Sequence, residues 1–334
     1  MVWQGDKVMN LVVRFICMLS WTLLITAKMP PSTHKKLDNL ENLHHELINA
    51  IQLEDVEAVK LLLPQIPINV IITREKATPL MYAVDRGRIC IECNEDEASQ
   101  LRRLSKPHKT IVEAILNAGA DIGVTNNGGA TALHCAAQGG SSEIIQLLLE
   151  RGGKKYLEVR DKFHSTPLLW AEENLETLTP LVNAGANINV QDNKGNTLLN
   201  KVMQDLHFQY NFVQGDNFNQ KRWNELRGTI KNCVKFMLDH HADPNIANND
   251  GMSPLMYATY YMHPEAVQLL LRAGAKIDVK NNRGKTALQF AQERFERERD
   301  SVSDKRIEQV EKQHIHEIIK MLESKNVTKS NLKN

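Results

Sequence analysis

The chain has 334 residues, 42% of them hydrophobic and 24% charged, with 41 basic against 40 acidic side chains. This is the make-up of a globular chain that can bury a core; 17 Gly and 11 Pro exclude collagen-like and low-complexity classes, and a net charge of +1 gives no global drive toward nucleic acid. Five cysteines, Cys17, Cys90, Cys93, Cys135 and Cys233, are an odd and scattered set that suits a reducing, cytoplasmic compartment better than a disulfide-stapled fold.

The first element is apolar: residues 11–27 are interrupted by Arg14 and run free of charge only from Phe15 to Ala27, which is short of a membrane span. A signal peptide fits poorly, because Ile25-Thr26-Ala27 lacks the small residue expected three positions before cleavage. An anchor with a snorkelling Arg14 and a translation start at Met29 both remain open, the second preferred because Pro30 to Lys36 reads as an ordinary polar N-terminus. Residues 1–37 are therefore set apart as a leader, and a membrane enters as a partner only if residues 1–28 are retained as an anchor.

From residue 38 one phrase returns along the chain. It appears as Thr78–Val84, Thr131–Ala137, Thr166–Ala171, Thr197–Val202, Ser253–Ala258 and Thr286–Ala291, with a fainter copy at His45–Ile51. The underlying period is about 33 residues, and two longer gaps mark insertions at about 88–109 and 204–228. A Leu-rich second phrase follows each copy before the last, at Leu61, Ile115, Leu147, Leu181, Met237 and Leu269. The Thr or Ser reads as a helix N-cap, and Pro79, Pro167 and Pro254 stand at the first helical position, where no N–H is needed. Gly119, Gly185 and Gly274 end the second helix in a left-handed conformation. Turn residues at Asn126–Gly129, Asp192–Gly195, Asn249–Gly251 and Asn281–Gly284 make short hairpin tips. The run Ala287–Arg299, followed by a helix with Ile307, Val310, Ile315, Ile318, Met321 and Leu322 on one face, predicts a C-terminal cap over 293–334 that ends in a polar tail.

These paired phrases at this period resemble the ankyrin repeat over roughly residues 45–292. The resemblance implies a mainly α fold, an ankyrin-repeat α-solenoid of six to seven helix-turn-helix units joined by short β-hairpin turns over residues 38–292. It also implies noncovalent binding of another protein on a concave side formed by the tips and the ends of the first helices. His134 then bonds between neighbouring turns. Lys76 and His164 depart from the usual turn glycine, and Lys201, Val202 and Met203 depart from the usual Leu-Ala-Ala, so the Thr197 repeat is expected to be the least stable.

Read position by position, that concave side nominates Met252 at a tip and Tyr260, Tyr261 and Met262 at a helix end as partner-binding residues, with Phe163 at another tip. The second insertion adds Phe208, Tyr210, Phe212 and Phe218, which either present a binding surface or fold back as a local core. The first insertion is polar and reads as a solvated elaboration. No catalytic residue, metal ligand or cofactor loop is nominated. Arg283–Thr286 lacks the earlier glycine of a phosphate loop, the Cys90/Cys93 pair has no second pair to complete a zinc site, and His314, His316 and Glu317 are assigned to the surface. The function expected is a non-catalytic scaffold or adaptor. The irregular repeats, abundant Asn and basic tail leave open a host-directed effector of an intracellular bacterium or virus, and residues 1–28 leave open a membrane-tethered scaffold.

Overall fold

The computed structural model describes residues 31–69, 77–85, 109–139, 141–172, 174–204, 220–300 and 305–331. Their helices come in pairs. These are α1 (Pro31–Gln52) with α2 (Val56–Leu62), α3 (Pro79–Val84) with α4 (Lys109–Asn117), α5 (Ala132–Gly139) with α6 (Ser142–Glu150), and α7 (Pro167–Trp170) with α8 (Leu175–Asn183). There follow α9 (198–204) with α10 (Gln220–Asp239), α11 (Pro254–Tyr260) with α12 (Pro264–Arg272), and α13 (Ala287–Asp300) with α14 (Lys305–Asn331). First helices stack on first helices, as α3 on α5, α5 on α7 and α11 on α13. Second helices do likewise, α4 on α6, α6 on α8, α10 on α12 and α12 on α14. The result is a two-layered solenoid held by nearest-neighbour packing, with one apolar cluster running from Leu47 to Leu322.

The helix starts follow from local chemistry. Thr78 and Ser253 accept the N–H groups of Met81 and Met256 at 3.3 Å, each followed by proline. Thr166 departs from this: its hydroxyl caps nothing, because α7 is a single turn closed by the Leu169 N–H on the Thr166 carbonyl at 3.0 Å. The second helices end as the glycines dictate, with φ of 91° at Gly119, 100° at Gly185 and 88° at Gly274. His241 takes the same conformation at φ 66° in the Met237 repeat.

Among the described residues no strand forms, so the tips are turns rather than paired β-hairpins. Each is built on one Asn or Asp whose side-chain oxygen accepts two backbone N–H groups, two and four residues on: Asn126, Asp161, Asp192, Asn248 and Asn281 all do so, at 2.8–3.0 Å. The tips are tied to one another by single backbone bonds, Lys162 N–H to Gly128 O, Asn193 to Phe163, Asn249 to Lys194 and Asn282 to Asp250, at 2.7–3.0 Å. These fix the stacking register. They also require glycine at Gly251, where φ is 73° and a Cβ would meet the Asn281 Cα at 2.9 Å.

A second ladder uses asparagine side chains. Asn189 accepts from the Asp243 N–H at 2.8 Å and donates to the His241 carbonyl at 3.1 Å. Asn69 and Asn245 make the same pair of bonds to Asp121 and Gly119, and to Lys276 and Gly274. Three asparagines, Asn69, Asn189 and Asn245, thus join repeats. His134 joins them in the other layer. Its Nδ1 accepts from the Thr131 N–H at 3.1 Å, so Nε2 carries the proton to the Ser165 carbonyl at 3.1 Å, and burial lowers its pKa and keeps it neutral.

Candidate functional site

The first helices vary in length, and that variation makes the site. From Thr166 to the next helix cap, Asn174, the numbering advances by 8; from Thr131 to Ser141 and from Ser253 to His263 it advances by 10. The missing two residues leave α7 one turn long, against 8 residues in α5. The chain turns out early, with Glu172 in the left-handed region at φ 49°. Between the ends of α5 and α9 this opens a cleft of about 320 Å3, floored by Trp170 and Lys201 and rimmed by the tips at Phe163 and Lys194.

Asp161 organises the cleft. Its Oδ1 accepts the Phe163 and Ser165 N–H groups at 2.8 Å, and its Oδ2 accepts the Trp170 indole N–H at 2.9 Å. One carboxylate therefore sets both the tip that carries Phe163 and the ring that floors the cleft. Trp170 also meets His134 edge-on at 5.4 Å between ring centroids. Phe163 is 66% exposed, a large apolar side chain left in water on the rim. Lys201 donates from Nζ to the Leu169 carbonyl at 3.0 Å, and Gln204 donates to Asn196 Oδ1 at 3.0 Å, closing the far wall.

Around the Ser253 repeat the nominated residues part company. Tyr260 and Tyr261 are half-buried and held by rings, Tyr260 edge-on to Phe290 at 5.8 Å and to Tyr261 at 5.0 Å, and Tyr261 parallel to Tyr257 at 6.2 Å. Met252 is half-buried, its sulfur accepting from Asn281 Nδ2 at 3.3 Å. Met262, a contact residue by its sequence position, is instead buried, at 5% exposure. The correction has a local cause: after α11 the backbone turns left-handed at Met262, φ 58°, and folds its side chain inward as the chain enters α12. Phe208, Tyr210, Phe212 and Phe218 lie outside the described residues, as do Cys90 and Cys93.

His314 also departs from its surface assignment. It is half-buried, with Nε2 3.0 Å from the Arg227 guanidinium, which in turn pairs with Glu265 at 2.5 Å. Arg227 is 11% exposed and His263 is buried beside it, so α10, α12 and α14 meet on a polar cluster. Desolvation, with Arg227 adding to it, holds His263 down to about 3 and His314 to about 4. Cys135 and Cys233 are buried thiols, and burial pushes the Cys135 pKa up. Among the described residues no group of three or more His, Cys, Asp or Glu is arranged to hold a metal.

Sequence reasoning missed Trp170, Lys201 and Tyr257. The signal was present: counting each repeat's Thr or Ser as one, the fifth position reads Tyr82, Cys135, Trp170, Lys201, Tyr257 and Phe290. Of these, Trp170, Lys201 and Tyr257 are partly exposed.

A family model for ankyrin repeats, in three copies, matches residues 102–192 and 226–302. Human Inversin is 26% identical over 176 residues, which are 48% of this chain and 16% of Inversin. The phosphocholine transferase AnkX of Legionella pneumophila is 25% identical over 250 residues, 72% of this chain and 23% of the transferase. The chain thus spans less than a quarter of either relative. The solved ankyrin repeat domain of human ASB11 superposes with a TM-score of 0.55 at 20% identity, covering 81% of this chain and 96% of that one, a likeness in fold.

Proposed function

We propose that this chain, which belongs to the ankyrin-repeat family, is a non-catalytic scaffold that binds a partner protein through the cleft beside Trp170. The observation that carries the reading is Phe163, two-thirds exposed on the rim of a concave cleft whose floor is another aromatic ring. Aromatic side chains are enriched at protein interfaces, where they pair with pockets on the partner. Tyr260, Tyr261 and Met252, further along the stack, would extend the same surface through their exposed portions. A photo-crosslinking residue in place of Phe163 tests this, with Leu61, which is 72% exposed on α2, as the control position. Capture of one discrete protein from position 163 and not from 61 is expected; equal capture at both overturns the reading.

A second reading, a host-directed effector, draws on the likeness to the Legionella transferase across 72% of the chain. A translocation reporter fused to the chain tests it, and failure to reach the host cytoplasm removes it. No helix among the described residues is long and apolar enough to cross a membrane. A tether would rest on residues 1–28, outside the described residues.

A further inference from the structure

Three carboxylates line the cleft, Asp161, Glu172 and Asp192, with two ammonium groups, Lys194 and Lys201, a formal balance of −1 that selects strongly for neither sign of ligand. The carboxylates are largely spent within the protein. Asp161 accepts the Phe163 and Ser165 amides and the Trp170 indole, Asp192 Oδ1 accepts the Lys194 and Asn196 amides, and Glu172 has a partner of its own. The donors are not spent. Lys201 gives one of its N–H groups to the Leu169 carbonyl at 3.0 Å, and among the described residues neither lysine stands in an ion pair. One repeat on, the Tyr257 hydroxyl accepts from Asn248 Nδ2 at 2.9 Å, which leaves its own O–H to donate. Asp192 Oδ2 apart, what this wall has left to offer is N–H and O–H, set among the rings of Phe163, Trp170 and Tyr257.

These groups recur at the spacing of the stack. Trp170, Lys201 and Tyr257 hold the fifth position of three successive repeats, which the tip bonds from Asn193 to Phe163 and from Asn249 to Lys194 join. Packed helices lie about 8 to 10 Å apart, so the row advances about 9 Å per repeat. An α-helix turns every ~5.4 Å and a strand presents one face every ~6.8 Å, whereas a polyproline II helix, with three residues per turn, advances about 9.3 Å. A proline-rich segment in that conformation also has the matching chemistry, since it offers carbonyl acceptors and apolar rings without charge and without N–H groups. We propose that the cleft and its continuation to Tyr257 receive a proline-rich segment of the partner protein, laid along the stack as a polyproline II helix. Its rings rest on Trp170 and, two turns on, on Tyr257, with Phe163 closing over the first, and its carbonyls accept from Lys194 and Lys201. The inference rests on the protein-binding reading of the same cleft and adds the kind of segment it takes.

The test uses the full chain, labelled with nitrogen-15, titrated with acetylated and amidated heptaproline while the Trp170 indole N–H signal is followed; that signal is assigned by its loss in Trp170→Phe. The heptapeptide of D-proline, equal in composition and opposite in hand, is the decisive comparison, beside L-tetraproline, which reaches from Trp170 to Lys201 and stops short of Tyr257. L-heptaproline is expected to move the signal and to bind about tenfold more tightly than tetraproline, the equivalent of about 1.4 kcal/mol for the second ring contact. On Phe163→Ala its binding is expected to weaken about fivefold. Phe163 is exposed, so its removal leaves folding intact. Equal binding of the D-peptide or of the tetrapeptide overturns the proposal, as does unchanged binding by Phe163→Ala. Tighter binding when the central proline is exchanged for glutamate or arginine also overturns it, because charge would then choose the ligand. If position 163 crosslinks a discrete partner and heptaproline moves nothing, the scaffold reading stands and the proline segment falls. If neither occurs, both fall.

Discussion

Asp161→Asn isolates one bond. At Asn126, Asn248 and Asn281 the same tip is made by a side-chain amide, whose oxygen accepts both turn N–H groups at 2.8–3.0 Å. Asparagine at 161 therefore keeps the two bonds to Phe163 and Ser165. It loses the third, because its NH2 would face the Trp170 indole N–H that Oδ2 now accepts at 2.9 Å. A hydrogen bond to a charged acceptor contributes about 1.5 to 3 kcal/mol, and a buried donor left without a partner costs about 1 to 3. Asp161 is buried but the Trp170 donor is only part-buried on the cleft floor, so the lower end of the range applies, and a loss of about 1 kcal/mol is expected. Asp192→Asn is the control; its Oδ1 makes the same two turn bonds, and the expected loss is within about 0.5 kcal/mol. Urea denaturation followed by circular dichroism measures both, and amide exchange over residues 163–170 locates the loss, since a solenoid need not unfold in one step. Equal stability of the two variants would refute the assignment of Asp161 as the residue that holds Trp170.

Acid sensitivity is expected from the cluster of Arg227, Glu265, His263 and His314. His263 is held to about 3 in the folded chain against 6.5 unfolded, so the unfolded state binds more protons between those values; its contribution is complete above about pH 6.5 and lost as pH falls toward 3. At pH 5 this is a loss of about 2 kcal/mol, and His263→Leu should flatten stability between pH 7 and 5 by that amount; an unchanged slope refutes it. Asn200→His should stabilise the chain by about 1 kcal/mol, because Asn200 Oδ1 is buried without a partner while His134, at the equivalent position, satisfies both ring nitrogens. A lower denaturation midpoint in that variant would refute it.

What the sequence disclosed was local. Thr78 and Ser253 cap helices, Gly119, Gly185 and Gly274 end them, and Asn126 or Asn281 makes a turn, each through bonds reaching four residues or fewer along the chain. What it hid was distant or conditional. Asn189 binds residues 52 and 54 positions away, and nothing beside it in sequence marks that role. His314 looks like a surface residue of a charged helix until α14 lays it against Arg227, 87 residues earlier. Met262 has the apolar character of an interface residue, yet its exposure is decided by where the chain leaves α11. The Thr166 phrase matches its neighbours through five residues, and the loss of its cap follows from two residues missing further on.

That shortening tells more about function than the repeats do. In a stacked array each unit contacts its neighbours, so a first helix can lose a turn while the layers continue through it. Leu168 and Leu169 remain fully buried. The tip bonds from Lys162 to Gly128 and from Asn193 to Phe163 keep the register on both sides. The fold therefore tolerates the gap, and beside it Trp170 stands half-buried on the cleft floor, with Gln138 of α5 also in the lining. Stability resides in the buried leucines and the turn amides. The proposed recognition surface uses the fifth positions that are partly exposed, Trp170, Lys201 and Tyr257, and the tip beside them, whereas Tyr82, Cys135 and Phe290 at the same position belong to the core.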